Sequence, residues 1–112
     1  MGQFLNEIQS QIVDSLQGKL ISFIMGVQDT FTIKNRGTVV TGVIGSGFVK
    51  VGDVIEVVAR DGSRFMVKVI GLEREKQLID IASKGDAVGV FLPVRREGML
   101  NAGDLLIKID NP

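Results

Sequence analysis

The sequence predicts an all-β barrel or sandwich preceded by one amphipathic helix, and three observations carry that expectation. Apolar residues recur at helical steps only ahead of Gly18. Beyond it the chain runs in short β-rich segments broken by Gly, Asp and Asn. The 14 glycines among 112 residues supply the turns that such a fold needs. A chain of this length suits one compact domain, divided into a helix over residues 1–18 and a barrel over residues 19–112.

The helix is expected over residues 4–17, where Phe4, Leu5, Ile8, Ile12, Val13 and Leu16 follow three- and four-residue steps. Asn6 and Gln9 have the spacing of a capping box, and Gly18 with Lys19 suits a C-terminal stop. A helix this short is marginal alone in water. Its Leu5, Ile8, Ile12 and Leu16 face should therefore be buried, either on its own barrel or on a second copy in a homodimer. The polar face has no Lys or Arg, which argues against an anionic membrane surface.

Strands are expected near 20–25, 30–34, 38–45, 54–60, 64–73, 87–92 and 105–109. Asp61-Gly62, between VIEVVAR and SRFMVKV, predicts an antiparallel hairpin with a two-residue type I′ turn. A Gly-Asp pair precedes three of the strands, at Gly52-Asp53, Gly85-Asp86 and Gly103-Asp104. In each, Gly permits a backbone conformation closed to other residues, and the carboxylate can accept a bond from a nearby amide as the chain turns. These pairs read as barrel corners rather than metal ligands. In the strand expected near 38–45, the alternation places Thr38, Val40, Gly42 and Ile44 inward, so Val39, Thr41 and Val43 face outward.

Composition excludes most chemistry. With neither Cys nor His, the chain has no disulfide, no thiolate or imidazole metal site, and no Ser/His or Cys/His relay. Lys plus Arg equals Asp plus Glu at 13 each, so the overall field points to no polyanionic partner. The glycines of Gly42-Val-Ile-Gly45-Ser-Gly47 fail as a dinucleotide fingerprint, because Lys50 stands where a third Gly is needed and a strand follows. Glu73, Arg74, Glu75 and Lys76 alternate in charge as a solvated edge or loop does, and no catalytic residue, metal or cofactor is expected. The first charge is Glu7, unlike the basic opening of a secretory signal, and the longest apolar stretch, Leu20 to Val27, is far too short to span a bilayer. A cytoplasmic location is the expectation.

The segments FTIKNRGTVVTGVIGSGFVKVGDVIEVV and IGLEREKQLIDIASKGDAVGVFLPVRREGMLNAGDLLIKI closely resemble domain 2 of elongation factor Tu and related translational GTPases. The most specific pieces are Arg36-Gly37-Thr38-Val39-Val40-Thr41-Gly42, VKVGD at 49–53, KGDAVGV at 84–90, and Arg96-Glu97 with Gly103. The resemblance covers about residues 19–110 and implies a six-stranded Greek-key barrel, here without the GTPase domain and third domain of the family. It also implies a non-catalytic binding module contacting RNA, whether tRNA or the ribosome, or a translation-related protein. In elongation factor Tu this barrel helps hold the aminoacylated 3′ end of tRNA. Asp29, Phe31, Ile33, Thr41 and Glu73 match residue types lining that pocket. Gln28, Glu75, Lys76 and Ala87 depart from it, standing where the family has Glu, His or Phe, Arg, and Asn. The alternative is a structural or oligomerisation module that kept the barrel and lost RNA binding, a reading drawn from Val43 and Val54, which replace charged residues on the outer face.

Overall fold

A computed structural model describes residues 5–16 and 20–110. Helix α1 spans Glu7–Ser15. Ten strands follow among the described residues: β1 Leu20–Gly26, β2 Asp29–Ile33, β3 Gly37–Lys50, β4 Val54–Val58, β5 Arg64–Lys68, β6 Gly71–Arg74, β7 Gln77–Ile79, β8 Ile81–Ser83, β9 Ala87–Leu92 and β10 Leu105–Asp110. Phe4, Gln17 and the expected stop at Gly18-Lys19 lie outside the described residues.

The strands form one antiparallel sheet in the order β5-β4-β10-β1-β3-β9-β6-β7, with β2 and β8 also paired to β3. Its inner face encloses a core built on Phe23, Met25, Val40, Ile44, Ile55, Leu72, Val90, Leu92 and Leu106. The mainly β class is as expected. The closed six-stranded barrel is corrected to a curled sheet whose hydrogen-bonded path stays open, with β5 and β7 at its ends.

Strand β3 organises the wrap. Its 14 residues pair in turn with β2, β9, β1 and β8, which requires close approach to β1 at the glycines. A Cβ on Gly47 would sit 1.8 Å from the Ser22 carbonyl oxygen, and one on Gly42 would sit 2.3 Å from that of Gly26. The glycine-rich stretch is a strand crossing.

The three Gly-Asp pairs are three copies of one corner. Gly52, Gly85 and Gly103 have φ of 97°, 92° and 92°, at the third position of turns with the φ signs of type II. Each Asp carboxylate accepts the amide three residues back: Asp53 from Lys50 at 2.8 Å, Asp86 from Ser83 at 2.9 Å, Asp104 from Asn101 at 2.8 Å. Each corner also exchanges two backbone bonds with one buried residue. The Gly N–H donates to Val69, Ile44 or Val27, and that residue's N–H returns a bond to the Asp carbonyl. Asp104 is only 2% exposed, and this desolvation raises its carboxyl above the ordinary range.

The Asp61-Gly62 hairpin forms between β4 and β5 but by a different turn. The Gly62 amide donates to the Ala59 carbonyl and Ala59 pairs with Ser63, leaving a three-residue loop in which Gly62 alone has positive φ, at 90°. That is a type I turn followed by a left-handed glycine rather than a type I′ turn. Asp61 accepts from both the amide and the hydroxyl of Ser63, which stabilises the bend and lowers its carboxyl below the usual value. The strand expected over 64–73 is two strands, because at Ile70 the chain leaves β4 and donates to the Phe91 carbonyl of β9. Strands β7 and β8 were not anticipated, being three residues each.

Helix α1 lies on the outer face of β1, β10 and β4, where Leu16 packs with Val58, Leu105 and Ile107. Leu5 and Ile12 are half-buried against the same cluster. Ile8, expected in that face, is 46% exposed and stands beside Gly62 at the edge of the hairpin. The residue buried in its stead is Gln9, at 1% exposure. The capping box is present: Asn6 Oδ1 accepts the Gln9 amide at 2.8 Å and Gln9 Oε1 accepts the Asn6 amide at 3.1 Å. Gln9 Nε2 is then free to donate to the carbonyls of Gly103, at 2.8 Å, and Val58, at 3.2 Å. The helix start is thus rotated by its cap so that a polar side chain, not Ile8, enters the interface. None of the helices in the described residues is long and apolar enough to cross a membrane.

Candidate functional site

In an antiparallel sheet, directly opposed residues show their side chains on one face. Two such rows cross the outer face of the sheet formed by β2, β3, β9, β6 and β7. One runs Asp29, Thr41, Gly89, Glu73, Leu78, and the other runs Phe31, Val39, Phe91, Gly71. The inward and outward alternation expected for β3 holds: Thr38, Val40, Gly42 and Ile44 are buried, while Val43 is 44% exposed.

The absent side chains in these rows shape the surface. Phe91 lies against Gly71, whose Cβ would stand 3.0 Å from the ring, and reaches toward Gly89. Gly89 in turn is flanked by Val39 and Glu73. An open cleft of about 280 Å³ results, lined by Gln28, Thr41, Glu73, Glu75, Ala87 and Gly89 among others. Thr41 and Glu73 therefore meet in one cleft. So do three positions at which the chain departs from the family pattern, Gln28, Glu75 and Ala87.

Asp29, Phe31 and Ile33 do not line the cleft itself but stand beside it on β2. Their position is set by pairing with β3, Asp29 opposite Thr41 and Phe31 opposite Val39, and by the Gln28 amide donating to the Thr41 carbonyl at 2.8 Å. Phe31 is 58% exposed and Ile33 48%, so neither belongs to the core. A large aromatic held open on a strand offers a flat apolar face to a ligand.

The cleft's mouth is built on strain. Glu75 and Lys76 form the two-residue turn between β6 and β7 with φ of 52° and 64°, the left-handed region at both positions without a glycine. The turn fixes Glu75 over the cleft. Arg74, at its start, is drawn aside to Asp86, with Nη1 3.1 Å from Oδ2. The charged groups around the cleft are consequently the carboxylates of Asp29, Glu73 and Glu75, beside the hydroxyl of Thr41 and the side-chain amide of Gln28, each of which can accept or donate. Such a set suits a ligand bearing hydroxyls and positive charge, and repels bare phosphate.

Val39, Phe91, Gly71 and Gly89 escaped sequence reasoning as site residues. Their signal was available in principle, since glycines at outward positions of strands leave a depression that an adjacent aromatic can fill.

The family model for elongation factor Tu domain 2 matches residues 37–107. The match runs from the start of β3 into β10 and includes Thr41 and Glu73; Asp29, Phe31 and Ile33 precede it.

Proposed function

Because the chain belongs to the elongation factor Tu domain 2 family, a family of translation-factor barrel modules, we propose that its outer cleft is a non-catalytic recognition site for the aminoacylated 3′ end of an RNA. The observation that supports this most is the row Asp29, Thr41, Gly89 and Glu73 beside the exposed ring of Phe31. In this reading Phe31 stacks on the terminal base. Thr41 and Gln28 meet ribose hydroxyls, and Glu73 with Glu75 attracts the α-ammonium of the amino acid. The acceptor-rich lining agrees with a charged amine at the end of the RNA and gives no cradle for its phosphates.

The test compares a short RNA hairpin ending in a free 3′ hydroxyl with the same hairpin carrying an amide-linked amino acid. Fluorescence anisotropy should show tighter binding of the aminoacylated form. Phe31→Ala should weaken both RNAs by roughly tenfold or more, as expected for loss of a stacking platform. Glu73→Gln should weaken the aminoacylated form alone. Equal affinity for the two hairpins, or indifference to Phe31→Ala, would refute the proposal.

A further inference from the structure

On the opposite margin of the sheet, β5 pairs with β4 on one side only. The pattern of that ladder fixes which of its backbone groups are used. Ala59 bonds to Ser63 and Val69 bonds to Asp53 across the same pair of strands, so the odd-numbered residues of β5 face β4. The N–H and C=O groups of Arg64, Met66 and Lys68 therefore point away from the sheet, and among the described residues they have no backbone partner outside it. Beside this edge lies an open groove of about 580 Å³, walled across from β5 by Pro93, Val94, Arg95, Arg96 and Met99. Its floor is apolar, from half-buried Phe65 to Met66 at 62% exposure and Met99 at 39%. Its rim is basic. Lys68, Arg95 and Arg96 line it, no acidic residue does, and among the described residues none of these three cations is in an ion pair.

We infer that the β5 edge and this groove form a docking site for an extended acidic segment of another protein, added to the sheet as a further strand. Unpaired alternate N–H and C=O groups are complementary to a second peptide backbone, which needs both. Nucleic acid would leave the outward carbonyls of Arg64, Met66 and Lys68 unpaired, and the groove has no exposed aromatic face for a base to stack on. A second copy of this chain is disfavoured by charge. Antiparallel pairing of two β5 strands about Met66 would set Arg64 opposite Lys68, with Arg95 and Arg96 of both copies close by. Carboxylates flanking alternate large apolar residues answer both the rim and the floor. This site is separate from the cleft between β3, β9 and β6 and does not depend on what that cleft binds.

The probe is a capped, fluorescein-labelled octapeptide alternating valine and glutamate, titrated into the full chain by anisotropy, with amide shifts mapped by NMR. Saturable binding is expected with the largest shifts at Arg64, Met66 and Lys68. Methylating alternate peptide nitrogens in one of the two possible phases should abolish it. The combined Lys68→Glu, Arg95→Glu, Arg96→Glu variant, all at exposed positions, should bind at least about tenfold more weakly while melting like the parent. Met66→Pro, which removes an outward N–H, serves as a second probe of the edge. The inference is overturned by absence of saturation at about 1 mM peptide. It is equally overturned if both methylated peptides bind like the parent, if a lysine-for-glutamate peptide binds as well, or if oligouridine displaces the peptide from the same residues.

Discussion

Replacing Gln9 with methionine would keep the volume of the side chain and remove its polar atoms. Three hydrogen bonds go with them: the two from Nε2 to the carbonyls of Gly103 and Val58, and the one that Oε1 accepts from the Asn6 amide. Cavity formation contributes little, because Met fills nearly the same space. What remains is the cost of orphaned groups. A buried polar group left without a partner costs about 1 to 3 kcal/mol, and the upper end applies least to a carbonyl that retains a second lone pair. Two carbonyls plus half of a capping box give roughly 2 to 4 kcal/mol, a large share of the 5 to 15 kcal/mol typical of a domain. Urea unfolding at pH 7 should show this as a fall in midpoint at constant slope. Gln9→Glu provides the internal control. It keeps the acceptor for Asn6 but aims a carboxylate at two carbonyl oxygens, so it should be worse than methionine at neutral pH. Such a carboxyl has a folded-state pKa raised above its unfolded value, so its penalty should shrink as pH falls and the group becomes a donor. If Gln9→Met shifts stability by less than about 0.5 kcal/mol, α1 is not pinned through Gln9 and the packing argument fails.

Two other perturbations test the backbone geometry. Ala at Gly52, where the φ of 97° is strained but no atom lies within 4 Å of the added Cβ, should cost about 1 to 2 kcal/mol. Ala at Gly47 must also push β1 away from a Cβ placed 1.8 Å from the Ser22 oxygen, and should cost more than about 3 kcal/mol or prevent folding; equal melting of the two variants would contradict the strand crossing. Changing Glu75-Lys76 to Asn-Gly relieves a left-handed turn built from unfavourable residues and should raise stability by about 1 to 2 kcal/mol, whereas a fall would show that the turn is held by contacts rather than strained.

Much of this was legible before any coordinates. The long strands announced themselves by period, and β10 by something more: Leu105, Leu106 and Ile107 are all buried because Leu106 faces the core while Leu105 and Ile107 lie beneath α1. A continuous apolar run in a strand is thus explained by a cover on the outer face. The Gly-Asp corners were visible as motifs, but not their partners Val27, Ile44 and Val69, which no local pattern identifies. The helix face was misread at one position, since a 3.6-residue period ranks Ile8 above Gln9 and cannot know that two strand-end carbonyls await a donor. Strands β7 and β8 were hidden because Leu78 and Ile81 sit at exposed positions, 76% and 52%, and three residues are too few for alternation to show. At the cleft, Thr41 and Glu73 came from resemblance; the contour made by Gly71, Gly89 and Phe91 required the register of three strands.

The three corners differ in the length of chain each must close. Asp53 and Val69 are 16 residues apart, Ile44 and Asp86 are 42, and Val27 and Asp104 are 77. The turn itself, with its carboxylate reaching back three residues, can form before any strand has met its neighbour. The entropy of bringing the distant residue in grows with the logarithm of separation, so the longest closure costs about 1.4 kcal/mol more than the shortest. A chain assembling itself would thus complete the hairpin corner early and the Val27 corner last. The Gly103 carbonyl that receives Gln9 belongs to that last corner, so α1 gains its anchor only once β10, from the end of the chain, has joined β1. The helix acts as a latch, and the first step of unfolding should be its release.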